Sequence, residues 1–170
     1  MTGRDERGCD ALDLWELTAR ERIRDSLARY TWSGDAFRLT ELAQAFCADG
    51  ILEIRGRDRL RGRDAIVEFL GGGPEPGGDE ARRAARKAAT GNGRPRIVRH
   101  NVTNVRFLEV TPTEARVASY FTVFTEIGLD HHGRYRDTFV PVGEEWLIRH
   151  RFVSTDWRHP ESTMAAPSSV

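Results

Sequence analysis

The chain has 170 residues, of which 26 are Lys or Arg and 26 are Asp or Glu, so its formal net charge is zero. That length supports one domain with a substantial core rather than two. The charge balance excludes a global field drawing the chain to nucleic acid or an anionic membrane, so partners must be recognised locally.

The first eleven residues are polar and are expected to be a mobile tail. A polar start and the lack of any apolar run of bilayer length point to a cytoplasmic protein. Cys9 and Cys47 fit neither a disulfide framework nor a zinc knuckle, so both are expected as thiols. The first helix is predicted from Leu12 to Tyr30, with Trp15, Ala19, Ile23, Leu27 and Tyr30 spaced by fours and threes along its apolar stripe. The run TWSGD, residues 31–35, reads as a break at Gly34. A second helix follows from Ala36 to Cys47, with Phe37, Leu39, Leu42, Ala43 and Phe46 on its apolar side. Asp35 stands just before it, where a carboxylate suits the free N–H groups and the positive end of the helix dipole. The same position, one short turn past Tyr30, could aim both residues into one space.

Ile51 to Ile54 reads as a short strand. Arg55, Arg57, Arg59, Arg61 and Arg63 then alternate, but Glu53, Asp58 and Asp64 are interleaved with them, so the segment is expected as the solvated outer face of a hairpin rather than an anion site. A helix from Arg63 to Leu70 turns Ile66, Phe69 and Leu70 inward. Gly71 to Arg96 changes character: glycine and proline clusters flank helix formers that have no bulky apolar stripe. This is an insertion outside the core, either disordered or a lid over whatever adjoins the next strand.

That strand, Ile97 to Leu108, carries the residue of greatest chemical interest. Alternation places Val98, His100 and Val102 on one face, with Arg99, Asn101 and Thr103 on the other. A histidine between two valines is ordinarily a core residue bonded to backbone. With a carboxylate near it, the same ring can be tuned to titrate near neutrality. A meander follows: a turn at Thr111-Pro112, a strand from Ala115 to Glu126, a turn from Gly128 to Gly133, a strand from Arg134 to Pro141, a turn at 143–145 and a last strand from Trp146 to Thr155. The helices are the elements available to cover one face of this twisted antiparallel sheet, which predicts an α+β cone. The tail from His159 reads as mobile.

His131 and His132 are adjacent in the expected turn and would point apart, with no third ligand at metal spacing, so no metal site is expected. His150 shares an apolar strand face with Trp146, Ile148 and Phe152 and rivals His100. No Gly-rich phosphate loop, no nucleophile elbow and no cysteine with a base partner is present. Acid/base chemistry without a cofactor, or no chemistry, remains.

The motifs RIRDSLARYTWSGDAFRLTELAQAFCADGILEIRG, LRGRDAIVEFL, RHNVTNV, GRYRDTFV and EEWLIRHRFV, in that order, resemble the SnoaL-like branch of the nuclear transport factor 2-like superfamily. The resemblance is closest in style to the scytalone dehydratase and bile-acid dehydratase group, and it runs from about Leu12 to Trp157. It implies a cone-shaped α+β barrel, with N-terminal helices on a strongly curved antiparallel sheet. It also implies an Asp35–His100 dyad with Tyr30 beside it, in a pocket lined by Phe46, Ile54, Phe69, Val98, Phe121 and Val123. Two departures stand out: Val123 replaces a second acidic residue, and Gly34 replaces a functional side chain. The activity implied is that of a cofactor-independent lyase or isomerase, dehydratase-like, on a small hydrophobic hydroxylated ring compound, in a homo-oligomeric protein, dimer or trimer. Polyketide-cyclase-like ring closure and a non-catalytic binding or structural subunit, as in ring-hydroxylating dioxygenases, are the alternatives the same fold allows.

Overall fold

A computed structural model describes residues 13–72, 97–162 and 164. The expectations for the first twelve residues, Cys9 among them, and for residues 73–96 of the insertion lie outside these. Helix α1 spans Leu14–Asp35 and buries Ala19, Ile23, Leu27 and Tyr30 along the anticipated stripe. Trp15, assigned to that stripe, is 42% exposed instead.

The run TWSGD is helix, not a break. Gly34 is tolerated in the last turn because a Cβ there would lie 3.0 Å from Leu42 Cδ1, so the glycine serves the close approach of the next helix. The helix ends in a Schellman arrangement: Phe37 takes the left-handed conformation at φ 55. Arg38 N–H donates to Ser33 O at 2.8 Å and Phe37 N–H to Gly34 O at 2.9 Å. The second helix, α2, is only Leu39–Ala43. Phe46 and Cys47, expected at its end, already belong to strand β1, Phe46–Ile54. Cys47 is a buried free thiol.

Strand β2, Leu60–Arg61, closes the arginine-rich hairpin on β1. Arg55, Arg57, Arg59 and Arg61 face water as anticipated, with Arg59 paired to Glu53 at 2.9 Å and the Arg57 guanidinium over the Phe69 ring. Arg63 instead turns inward and donates to Phe46 O from Nε at 3.0 Å and Nη2 at 2.7 Å. Helix α3, Arg63–Val67, runs on into a π-helical turn, Glu68–Gly72. Four long strands follow: β3 Val98–Val110, β4 Ala115–Thr125, β5 Gly128–Val142 and β6 Glu145–Arg158. The sheet order is β2-β1-β6-β5-β4-β3. Every neighbouring pair is antiparallel except β1 with β6, which run parallel. Among the described residues the cone is not closed, and β2 and β3 are its edges.

The core has two parts. The larger joins α1, α2 and β1 to Val117, Phe139, Trp146 and Ile148. The smaller, Val98, Phe121, Val123 and Tyr135, lies at the end of the sheet near His100, with Val102, Val153 and Met164 packed on it. Between β5 and β6 the chains approach so closely at Gly133 that a Cβ would overlap the Ser154 carbonyl oxygen and press on Phe121 at 2.9 Å. Backbone cannot yield as a side-chain tip can. Gly133→Ala is therefore expected to cost about 3 kcal/mol, seen as a fall in Tm of roughly 10 °C by calorimetry; an unchanged Tm would count against this packing.

Candidate active site

Asp35 lies at the C-terminal end of α1, the negative end of the helix dipole, rather than before a second helix. A carboxylate is unfavourable there unless donors compensate it. His100 supplies two. Its backbone N–H donates to Asp35 Oδ2 at 2.9 Å, and its ring Nδ1 stands 2.6 Å from Asp35 Oδ1. Because β3 is an edge strand, this backbone N–H faces the open side of the sheet, and the carboxylate gives it the partner a neighbouring strand would otherwise provide. The pair is mostly enclosed, with side chains 19% and 12% exposed for His100 and Asp35. With Nδ1–H directed at the carboxylate, the lone pair is left on Nε2, as a general base requires.

Tyr30 is buried but is not bonded to this dyad. Its ring lies beneath the Arg151 guanidinium, whose central carbon is 4.2 Å from the centroids of both Tyr30 and Tyr135. Arg151 is itself fully buried and forms a two-point bond with Asp137, Nε to Oδ1 and Nη2 to Oδ2, each 2.8 Å. Arg151 Nη1 and Ser119 Oγ are buried without a hydrogen-bond partner among the described residues. Burial raises the Tyr30 phenol above its ordinary range against the opposing pull of Arg151. Tyr135 is raised for the same first reason, and the Tyr30, Asp137 and Asp35 charges act in the same direction. Both phenols therefore stay protonated and can donate. The Tyr135 ring lies edge-on to Tyr30, with centroids 6.3 Å apart, and feels the Asp35 charge.

The expected lining residues divide. Val98, Phe121 and Val123 cluster beside His100. Phe46 and Ile54 belong to the larger core rather than to that cluster, and Phe69 is 38% exposed beside Arg57. A groove of about 700 Å³ lined by Cys47, Asp49, Arg63, Thr113, Pro141 and Arg149, among others, contains none of the six.

His150 is not a rival in the same space. A register shift between Thr138 and Phe139 places Arg149 opposite no partner, which turns His150 away from Ile148 to bond Glu53 at 2.9 Å.

The turn assigned to residues 128–133 is strand, and this corrects the reading of His131. The hairpin turns instead at Glu126-Ile127, with Gly128 at φ 91. Val123 pairs with His131 and Phe124 with Leu129, so Asp130 is the extra residue of a β-bulge. The bulge puts adjacent side chains on one side: His131 Nδ1 is 2.6 Å from Asp130 Oδ1. The Ser162 hydroxyl donates to Asp130 Oδ1 at 2.6 Å and the Thr125 hydroxyl to Oδ2 at 3.2 Å. The segment expected to hang free from His159 is thus held down as far as it is described, with His159 N–H on Asp130 O and Met164 on the apolar cluster.

Burial alone would raise the Asp130 carboxyl, but the Ser162, His131 and Thr125 donors outweigh it and hold it below the usual range. Burial lowers His131 below its ordinary 6.5, opposed by Asp130 and assisted by the nearby His100 and His132. A histidine whose folded pKa is depressed takes up its proton more readily when unfolded, so its contribution is complete above the ordinary value and is lost as pH falls below it. Unfolding free energy is expected to decline as pH drops from about 6.5, and His131→Gln is expected to flatten that slope in denaturant titrations. An equal slope in the variant would show that another group sets it.

The helix-capped open sheet is that of the nuclear transport factor 2-like, cystatin-like α+β class. The SnoaL-like domain model matches residues 15–152, and the chain belongs to that family. Among solved structures, the chain is similar to a candidate scytalone dehydratase from Novosphingobium aromaticivorans DSM 12444 (25% identity, 90% of this chain and 92% of that chain covered, TM-score 0.63). It is also similar to Rv3472, a protein of unknown function from Mycobacterium tuberculosis (24%, 88% and 78%, 0.67). ActVI-ORFA from Streptomyces coelicolor shares the fold at 17% identity, with 81% and 96% covered and a TM-score of 0.63. No curated protein matches the chain.

Proposed function

We propose that the protein is a small cofactor-independent lyase or isomerase of dehydratase type, acting on a hydrophobic, hydroxylated ring compound. The observation that carries this reading is the double clamp of Asp35 on His100, one oxygen on the backbone N–H and one on ring Nδ1. In this mechanism His100 Nε2 removes a proton from carbon next to a carbonyl. Asp35 fixes the ring's rotation and tautomer and stabilises the imidazolium that forms. Tyr30, kept protonated by burial, donates to the developing oxyanion or the departing hydroxyl, and Tyr135 is the second phenol able to do so. Val98, Phe121 and Val123 supply the apolar contact for the ring. General acid/base help of about a hundredfold to ten-thousandfold per group suits activated C–H bonds and not inert ones.

A suitable probe is 3-hydroxy-1-tetralone, a bicyclic β-hydroxyketone that loses water to give 1-naphthol. The expected result is enzyme-dependent release of 1-naphthol, or exchange of the proton next to the carbonyl for deuterium in heavy water. A chain that does neither with a panel of such ketones is no lyase or isomerase of this class.

A further inference from the structure

The bond register sets His131 level with His100. On one side Val123 pairs with His100, and on the other it pairs with His131. The three residues lie in one row across adjacent strands, and each faces the helix-covered side of the sheet, with Val123 fully buried and His131 8% exposed. The two histidine backbones are two strand spacings apart, on the order of 10 Å, and His131 lies within electrostatic reach of His100. Both rings are held alike, by a carboxylate 2.6 Å from Nδ1. Nothing in the Asp35–His100 chemistry uses the second pair, and a buried bulge with a buried carboxylate is a costly way to hold a histidine for packing alone.

We propose that His131 is a second substrate-contacting imidazole, whose Nε2 accepts the hydrogen of a ring hydroxyl while His100 works at carbon on the other side of Val123. This deepens the ring-binding reading above and rests on it. Asp130 accepts from Ser162 and Thr125 as well as from His131, so it remains the acceptor and the shared hydrogen stays on His131 Nδ1. The lone pair is then on Nε2. Protonation there is opposed by burial and by His100, which makes the ring an acceptor for O–H rather than a donor. Phe121, its ring edge-on to His131 with centroids 5.8 Å apart, supplies an apolar wall. Val123 between the imidazoles offers only hydrocarbon, which suits the body of an aromatic ring with its polar groups at the two ends. Met164 packs on the same cluster and is the side chain that a bound ring displaces.

The test compares 1-naphthol with 1-methoxynaphthalene, which keeps the rings and lacks the hydroxyl hydrogen, by fluorescence titration of the full chain. Wild type is expected to bind 1-naphthol about ten-fold more tightly, the worth of one hydrogen bond from a neutral donor. His131→Leu is expected to erase that preference, and His100→Ala to keep it. Equal binding of the two compounds by wild type, or a preference that survives His131→Leu, overturns the role of His131 and leaves ring binding standing. Failure of wild type to bind either compound overturns both. Should His131→Leu not fold, histidine side-chain ¹⁵N shifts of wild type decide: the His131 Nε2 resonance moves with 1-naphthol and not with the ether, and an unmoved resonance overturns the assignment.

Discussion

Replacing Asp137 with Leu is expected to remove about 3–5 kcal/mol of folding free energy, a large share of the roughly 5–15 kcal/mol that a domain possesses. Arg151 is fully buried, and its guanidinium meets Asp137 through two bonds of 2.8 Å while two tyrosine rings cover its faces. Remove the carboxylate and a charge is left in a medium that cannot solvate it; the rings repay only part of that cost. Arg151 Nη1 already lacks a hydrogen-bond partner among the described residues, and the neutral Tyr30 phenol beside the guanidinium cannot replace a carboxylate's charge. The double variant Asp137→Leu/Arg151→Met removes both charges and is expected to recover most of the loss. Denaturant midpoints of the three proteins measure this. A single variant less than 1 kcal/mol below wild type would mean that the buried charge finds water, contrary to the packing.

His100→Ala is expected to lower turnover by about a hundredfold to ten-thousandfold on the probe ketone, with the circular dichroism spectrum unchanged. Asp35→Asn is the sharper variant. An amide oxygen can still accept from the His100 backbone N–H, so the edge strand stays docked, but the charge that steadies an imidazolium is gone. Its effect is expected mainly in kcat, because the charge matters most once the proton has moved. Stopped assays with both variants settle the matter: if either keeps turnover within a few-fold of wild type, Asp35 and His100 do not carry the chemistry.

Much of the architecture was legible from alternation and helical spacing, because β3 to β6 are long and Ala19, Ile23, Leu27 and Tyr30 recur at helical spacing in α1. Helix ends were harder. Gly34 reads as a terminator, yet its absent side chain makes room for Leu42, and the stop comes at Phe37, a residue type that rarely takes a left-handed conformation. The register of β1 shifts between Phe46 and Ile51, which hides its first half from any period-two reading. His100 stands out because it lies in a regular strand, whereas its pairing with Asp35 follows only from the family resemblance. Helical spacing ends the first helix at Tyr30 and sets Asp35 before the second, while α1 in fact runs on to Asp35. His131 was missed for a definite reason: alternation sends neighbours to opposite faces, and a single extra residue at Asp130 cancels the rule. The contiguous Asp130-His131 pair was the available sign, and pattern alone does not mark a bulge. The same device at Arg149 reversed His150. Arg151 left no mark, since a buried arginine looks like a solvent-facing one until Asp137 is seen opposite it.

The hydrogen bond from the His100 main chain to Asp35 has a use of its own. On an unshielded rim of the sheet, an amide proton trades with water quickly unless something guards it, and here the guard arrives with the first helix, 65 positions earlier in the chain. That proton is consequently a built-in gauge of whether α1 is seated: its deuterium uptake tracks the lifting of one helix, while uptake in central β5 tracks unfolding of the whole.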